Sequence, residues 1–389
     1  MLIERTIFKA IQEKLGAGKA VLVLGPRQTG KSTLLREIAK NADGPTLWLD
    51  CDFPQTRNEL AKITSRSQMQ DLLGNARLVL IDEAQMVRDI GMVLKIITDH
   101  FKEVQLVASG SSAFELSNLI NEPLTGRKWE YLLLPMSTGE MVQHHGRLEE
   151  STHLHRRMVY GMYPEVVSNP GNEREVLKLL STSYLYKDIF AFQDVRKPEV
   201  VEKLLQVLAL QVGSESSFHG LSEMVGVDHA TIQRYLDLLE KTFIVFRQTG
   251  FSRNLRTELK RTRKIYFYDN GIRNALLGAF QPINLRTDIG ALWENFMVSE
   301  RVKCNAYHRF YGNRYFWRTT EQQEIDYLEE YDGRLFAYEF KWNTNKPARA
   351  PRTFLNAYPE ASFQTIHPEN YLDEFLRAPA SGANPAAPL

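Results

Sequence analysis

Cysteine is scarce: the chain has 389 residues and two cysteines, Cys51 and Cys304, far apart and in no CxxC arrangement. That excludes a disulfide framework and a cysteine-ligated zinc site, and it suits a reducing, cytoplasmic setting. A charge of one sign is also lacking. Lys and Arg total 48 against 47 Asp and Glu, a net charge of +1, so any nucleic-acid surface has to be a local patch. No apolar run exceeds strand length, which excludes a membrane-spanning helix. The nine histidines show no metal-ligand spacing. Internal repeats and long linkers are absent. The opening MLIERTIFKAIQEKL has an amphipathic helical pattern with acidic residues, unlike a signal peptide. The tail APASGANPAAPL is small, Pro-rich and uncharged, and is expected to be disordered.

The rest is ordinary globular sequence, 43% hydrophobic and 24% charged, long enough for two or three domains. Residues 1–137 alternate strands (AVLVLG, TLWLD, ARLVLID, VQLVAS, WEYLLLP) with helical stretches, which predicts a mostly parallel sheet covered on both faces. Residues 138–197 are helical. Residues 198–282 give three helices and a basic, strand-like segment. Residues 283–376 return to mixed α and β, and 377–389 form the tail.

GPRQTGKS at 25–32 fits GxxxxGK[ST] after a strand and before the helix STLLREIAK, the context that motif requires. The expected nucleotide-binding residues are Gly25, Pro26, Arg27, Gln28, Thr29, Gly30, Lys31, Ser32 and Thr33. The glycines let backbone amides and a helix N-terminus wrap phosphate oxygens. Lys31 reaches the β- and γ-phosphates, and Ser32 holds Mg²⁺. In RLVLIDEAQ an apolar strand ends at Asp82, where ligands bind in open α/β sheets. Asp82 is expected to hold the metal and Glu83 to polarise the attacking water. VQLVASGSS ends a neighbouring strand, with Ser111 or Ser112 as γ-phosphate sensor. The implied cofactors are ATP and Mg²⁺.

EIDYLEEYDGRLFAYEFKW at 324–342 reads as a hairpin turning at Asp332-Gly333. If those two residues form the loop, Asp326 faces Glu339 and Glu324 faces Lys341, while Phe336, Tyr338, Phe340 and Trp342 point to the core. Like charges directly opposed destabilise a sheet. A divalent cation or a cationic partner between the carboxylates removes that repulsion. Residues 253–264 carry Arg253, Arg256, Lys260, Arg261, Arg263 and Lys264 against Glu258, net +5 in twelve positions. Such a run fits phosphate contacts on DNA, and Thr231, Gln233 and Arg234 start the preceding helix.

The P-loop, IDEAQ, ASGSS and LTGRKWEYLLLPMS, with GMYPEVV and YLYKDIF further along, resemble the bacterial and archaeal AAA+ ATPases that carry a C-terminal domain of unknown function. The resemblance implies an AAA+ core at 1–137, a helical lid at 138–197, a winged helix-turn-helix at 198–282 and a restriction-endonuclease-like α/β domain at 283–376. It also implies a homo-oligomeric ring, a hexamer, in which Arg127 of LTGR completes a neighbour's site. Asp326, Glu339 and Lys341, with Glu294, resemble the PD-(D/E)xK nuclease core. Together these imply an ATPase acting on duplex or branched, junction-like DNA. The alternative is a nucleotide-dependent switch or scaffold whose C-terminal domain does not cleave.

Overall fold

The computed structural model describes residues 2–111, 124–184, 189, 197–251, 263–344 and 348–376. The chain forms two units, each built round its own sheet. The first comprises Met1–Met136 with Lys187–Ile189 and Lys241–Phe243, and the second comprises Ser137–Tyr186, Phe190–Glu240 and Ile244–Leu389.

In the first unit β1 (Ala20–Leu24), β2 (Thr46–Asp50), β3 (Leu78–Asp82), β4 (Gln105–Gly110) and β5 (Lys128–Leu132) make a parallel sheet ordered β2-β3-β4-β1-β5. Every residue of β1 and β3 is buried, as continuous apolar runs covered on both faces require. The helix Lys31–Lys40 buries Leu34, Leu35 and Ile38, and Ile90–His100 buries Ile90, Val93, Leu94 and Ile97. Because β3, β4 and β1 are neighbours and parallel, their C-terminal ends lie side by side. The P-loop, Asp82 and the serines of β4 therefore meet at one edge.

The second unit carries a mixed sheet ordered β12-β11-β10-β9-β7-β8-β6. Its strands are β6 (Glu215–Ser216), β7 (Val245–Gly250), β8 (Arg263–Phe267), β9 (Asn313–Arg318), β10 (Glu324–Tyr331), β11 (Arg334–Phe340) and β12 (Ser362–Ile366). The β10–β11 register is Tyr331↔Arg334, Leu328↔Ala337 and Tyr327↔Tyr338, as the two-residue loop dictates. Asp332 and Gly333 both have positive φ, 49° and 75°, the requirement of that tight turn. Both faces of the hairpin are covered. Leu328, Leu335 and Ala337 join Ile325, Trp317 and Phe354 in one cluster, while Tyr327, Tyr338 and Phe340 pack round Phe375.

The helix Ile289–Tyr307 buries charge as well as apolar surface. Its Arg301 grips Glu329 of β10 through two hydrogen bonds of 2.9 and 2.6 Å, both residues being buried. The three helices Pro198–Leu210, Phe218–Val225 and His229–Lys241 precede β7. β8 pairs antiparallel with both β7 and β6, and β7 continues into β9 through the parallel pairs Thr249↔Tyr315 and Gly250↔Phe316. The stretches that sequence pattern divides at residue 283 thus share one hydrogen-bonded sheet.

Candidate nucleotide site and the buried charge cluster

At the end of β1 a side chain on Gly25 would place its Cβ 2.0 Å from the carbonyl oxygen of Leu133, so only glycine lets the loop turn there. Gly30, at φ 92°, caps the helix Lys31–Lys40 and leaves its amides facing the loop. Lys31 is buried, and its Nζ donates to the carbonyls of Gly25 (3.0 Å) and Pro26 (2.8 Å), inside the concavity it would share with phosphate. Thr29 Oγ1 donates to Pro26 O at 2.9 Å, bracing the loop from within. Arg27, Gln28, Ser32 and Thr33 are half-buried along the same turn. Arg5 fastens the loop from outside: its guanidinium donates to Thr29 O (2.6 Å) and to Leu134 O (2.7 Å). Sequence reasoning missed Arg5, because nothing local in ERTIF signals a contact 24 positions away.

Asp82 ends β3, buried, and accepts a short hydrogen bond from Ser109 Oγ; that oxygen in turn accepts the Glu83 amide at 3.1 Å. Glu83 stands in the left-handed region, φ 52°, an uncommon conformation for a residue with a side chain. Its carboxylate accepts from Gln85 Nε2 at 2.5 Å, and the same nitrogen donates to Ser111 Oγ at 2.9 Å. One carboxamide therefore links the expected water-polarising acid to the expected phosphate sensor. Gln85 and Ser109 were visible in IDEAQ and ASGSS, but neither residue type announces a linking role. Ser112 lies outside the described residues.

The donors and acids present suit a magnesium nucleotide: loop amides and Lys31 for phosphate, and the Ser32 hydroxyl with Asp82 as hard oxygen ligands. Mg²⁺ bound there would neutralise phosphate charge. Arg127 sits at the other end of the sheet. Its carbonyl accepts from Ala20 N at 2.9 Å, and its guanidinium pairs with Asp99 at 2.6 Å. Five steps along β1, from Ala20 to Gly25, separate it from the loop, roughly 16 Å at about 3.3 Å per residue, too far to serve the site of its own chain.

The second unit gathers the other expected residues round an unexpected one. Lys264 of β8 is 2% exposed, and its Nζ lies 2.8 Å from Glu294, 2.5 Å from Glu324 and 4.0 Å from Asp326. Tyr266, two residues on, donates to the same Glu294 oxygen at 2.7 Å. Asp326 accepts the Phe340 amide at 2.9 Å, and Lys341 pairs with Glu339 at 2.6 Å. Burial pushes Lys264 toward neutrality. Tyr266, Glu294, Asp326 and Glu324 outweigh it and hold the ammonium well above the usual lysine range. Burial, reinforced by Glu294 and Glu339, pushes Asp326 well above the usual carboxyl range.

Two expectations are corrected by this geometry. Lys264 is not available to a DNA phosphate, because it is enclosed and already paired. Glu324 does not answer Lys341; it pairs with Lys264 and, at 3.6 Å, with Arg318. Glu294, Asp326, Glu339 and Lys341 interact in one charge network. Lys264 stands among Glu294, Glu324 and Asp326, and among the described residues no group of three or more His, Cys, Asp or Glu is arranged to hold a metal ion. Arg263 faces elsewhere, its guanidinium 4.5 Å from the centre of the Phe218 ring. Arg253, Arg256, Lys260 and Arg261 lie outside the described residues. Gln233 and Arg234 are exposed, while Thr231 is bound to Asp228, which accepts its amide at 2.9 Å and its hydroxyl at 2.7 Å.

Comparison with known proteins divides the chain in three. Residues 17–142 match an AAA domain, residues 151–282 a domain of unknown function (DUF8612) and residues 289–372 another (DUF4143). The uncharacterized proteins Mb2031c of Mycobacterium bovis and Rv2008c of Mycobacterium tuberculosis are each 30% identical over 377 residues, covering 95% of this chain and 81% of theirs. An uncharacterized Haemophilus influenzae protein is 28% identical over 51% of this chain and 52% of its own. Among solved structures, the Walker-type ATPase PABY2304 of Pyrococcus abyssi superposes with a TM-score of 0.53 at 18% identity, over 71% of this chain and 96% of that one.

Proposed function

Since the chain belongs to the family of the two mycobacterial proteins and has an AAA-type ATPase fold in its first unit, we propose that it hydrolyses ATP with Mg²⁺ and uses the turnover to act on duplex or branched DNA. The observation that carries the ATPase part is the convergence of Lys31, Asp82, Glu83 and Ser111 on one edge of the parallel sheet. Lys31 and the loop amides bind the phosphates. Glu83, fixed by Gln85, takes up the proton of the attacking water. Arg127, distant from the P-loop of its own chain, would complete a neighbouring copy's site, and on that reading the active form is a ring, which we assign as a hexamer.

The DNA part draws on the second unit. A helix, the short strand β6, two further helices and then β7 and β8, paired antiparallel in the order β7-β8-β6, support reading this region as a winged helix. The basic run 253–264 carries the charge for phosphate contacts, and Gln233 and Arg234 stand exposed on the third helix. For the C-terminal region Lys264 favours the non-cleaving alternative: its ammonium already neutralises the acids that a nuclease would offer to a metal. The region then holds DNA without cutting it.

ATP turnover with and without linear duplex and four-way-junction DNA tests this reading. Turnover is expected to rise with DNA and to vanish in Lys31→Ala. Retained turnover in that variant removes the site from the argument, and failure of either DNA to bind or stimulate removes the DNA part. Mg²⁺- or Mn²⁺-dependent nicking by the intact protein, lost in Glu339→Ala, would restore the nuclease reading.

A further inference from the structure

Apart from the P-loop and the buried charges, the second unit contains a cavity of about 610 Å³. It is walled by the helix Arg147–Tyr160, the helix Glu173–Leu179, the connection from Phe280 to Ile289, and Trp342 just beyond β11. The size is that of a small-ligand site. Its walls are aromatic and already braced. Tyr160 and Phe280 stack with centroids 5.8 Å apart at 19°. Trp342 is wedged between Trp293 (5.5 Å) and His155 (5.6 Å). Its charge is one-sided: Arg156 and Arg174 line it, and no carboxylate does among the described residues. Arg156 is tied to Glu173 behind it. Arg174 is exposed, lies 5.8 Å from the Phe280 ring centre and donates to Phe280 O at 3.2 Å, so its guanidinium is held at the cavity wall with further donors to spare.

Flat rings select a planar aromatic ligand, and stacking of that kind accepts any base. A guanidinium fork matches phosphate oxygens. We propose that this cavity binds a nucleotide, its base against Trp342, Tyr160 and Phe280 and its phosphate on Arg174. The nucleotide is either free or the unpaired end of a strand, and the two sources share this chemistry. The site is separate from the P-loop and does not depend on ATP hydrolysis.

The test uses the full chain carrying Lys31→Ala and measures AMP binding by titration calorimetry, with a thermal melt of every variant as a folding control. AMP is expected to saturate the protein with and without Lys31→Ala. Affinity should fall at least tenfold for adenosine, which lacks the phosphate, and at least tenfold for Arg174→Ala, an exposed position whose loss leaves the fold intact. Trp342→Ala should have the same effect while ATP turnover in the Lys31 background of the natural chain stays unchanged. A ten-residue oligothymidylate distinguishes the sources: if it competes with AMP and binds more tightly, the strand end is the ligand; if only AMP binds, the free nucleotide is. Absence of saturable binding by both probes overturns the proposal. So does AMP binding that survives Arg174→Ala and Trp342→Ala, or that disappears with Lys31→Ala. Loss of the ATPase reading with AMP binding retained would leave this site standing.

Discussion

Replacing Lys264 by Met removes one ammonium and keeps most of the aliphatic stem in place. The ammonium pairs at 2.8 and 2.5 Å with Glu294 and Glu324, and Lys264 is 2% exposed. Taking one partner from a buried pair costs about 3–5 kcal/mol, because the other charge is left enclosed without compensation. Here two carboxylates lose their direct partner and Asp326 loses the nearest cation. At about 2–4 °C per kcal/mol for a unit of this size, Tm should fall by roughly 6–20 °C. Urea unfolding followed by circular dichroism measures the loss directly.

The double substitution supplies the sharper criterion. Glu294→Gln removes one of the stranded charges, so Lys264→Met should cost less in that background than in the natural chain. Additive losses, or a single loss below about 1 kcal/mol, would refute the assignment of Lys264 as the internal cation of the cluster. The sign with pH follows from its native pKa, which lies above the ordinary value of about 10.4. The contribution is complete below that ordinary value and disappears as pH climbs through the native one. The gap between natural and variant protein should therefore narrow in alkali.

Glu83→Gln should keep ATP binding while turnover falls by about 10²–10⁴-fold, the usual worth of a positioned proton acceptor; a turnover loss under tenfold in a single-turnover assay would move that role elsewhere. Gln85→Ala frees the Glu83 carboxylate and the Ser111 hydroxyl together, so kcat should drop more than KM rises, and a pure KM effect would count against the link. Asp326 has its pKa raised by burial, then by Glu294 and Glu339. Its charge thus opposes folding increasingly as pH rises above about 3.9. Asp326→Asn, which keeps an oxygen for the Phe340 amide, should stabilise the protein more at pH 8 than at pH 4.5, and an equal gain at both pH values would contradict that reasoning.

The candidate nucleotide site is legible because its motifs are local. GPRQTGKS directly follows the strand AVLVL and opens a helix, LVLID is a strand ending on its acid, and a parallel sheet brings the ends of the two strands together without further information. The hairpin is legible for a similar reason, since a two-residue loop fixes the opposed pairs from Tyr331↔Arg334 back to Tyr327↔Tyr338, while beyond them Asp326 accepts the Phe340 amide through its side chain. What escaped was non-local. Arg5 reaches Thr29 and Leu134 across 24 and 129 positions. The cation that answers Asp326 comes from Lys264, 62 residues earlier, and not from Lys341 beside it. A period-of-two pattern states which face a charge takes but not which strand lies next to it. Without the neighbour order β10-β9-β7-β8, no partner for Glu324 could be chosen.

Lys264 also shows why a charge run is a poor guide to a surface once it enters a sheet. Arg263 and Lys264 are adjacent in β8 and must project to opposite faces. Arg263 rests on Phe218, and Lys264 turns toward the helix Ile289–Tyr307, where Glu294 meets it. Only one of the pair could have faced a polyanion. The other joins the last strand of the three-helix region to the acids of the C-terminal region, across a sheet already made continuous by Thr249↔Tyr315 and Gly250↔Phe316. The Phe251 amide extends that junction by donating to Phe316 O at 2.7 Å. Separating the two regions at residue 283 would break these hydrogen bonds and leave Lys264 without its carboxylates, so β8 and the acid cluster belong to one folding unit.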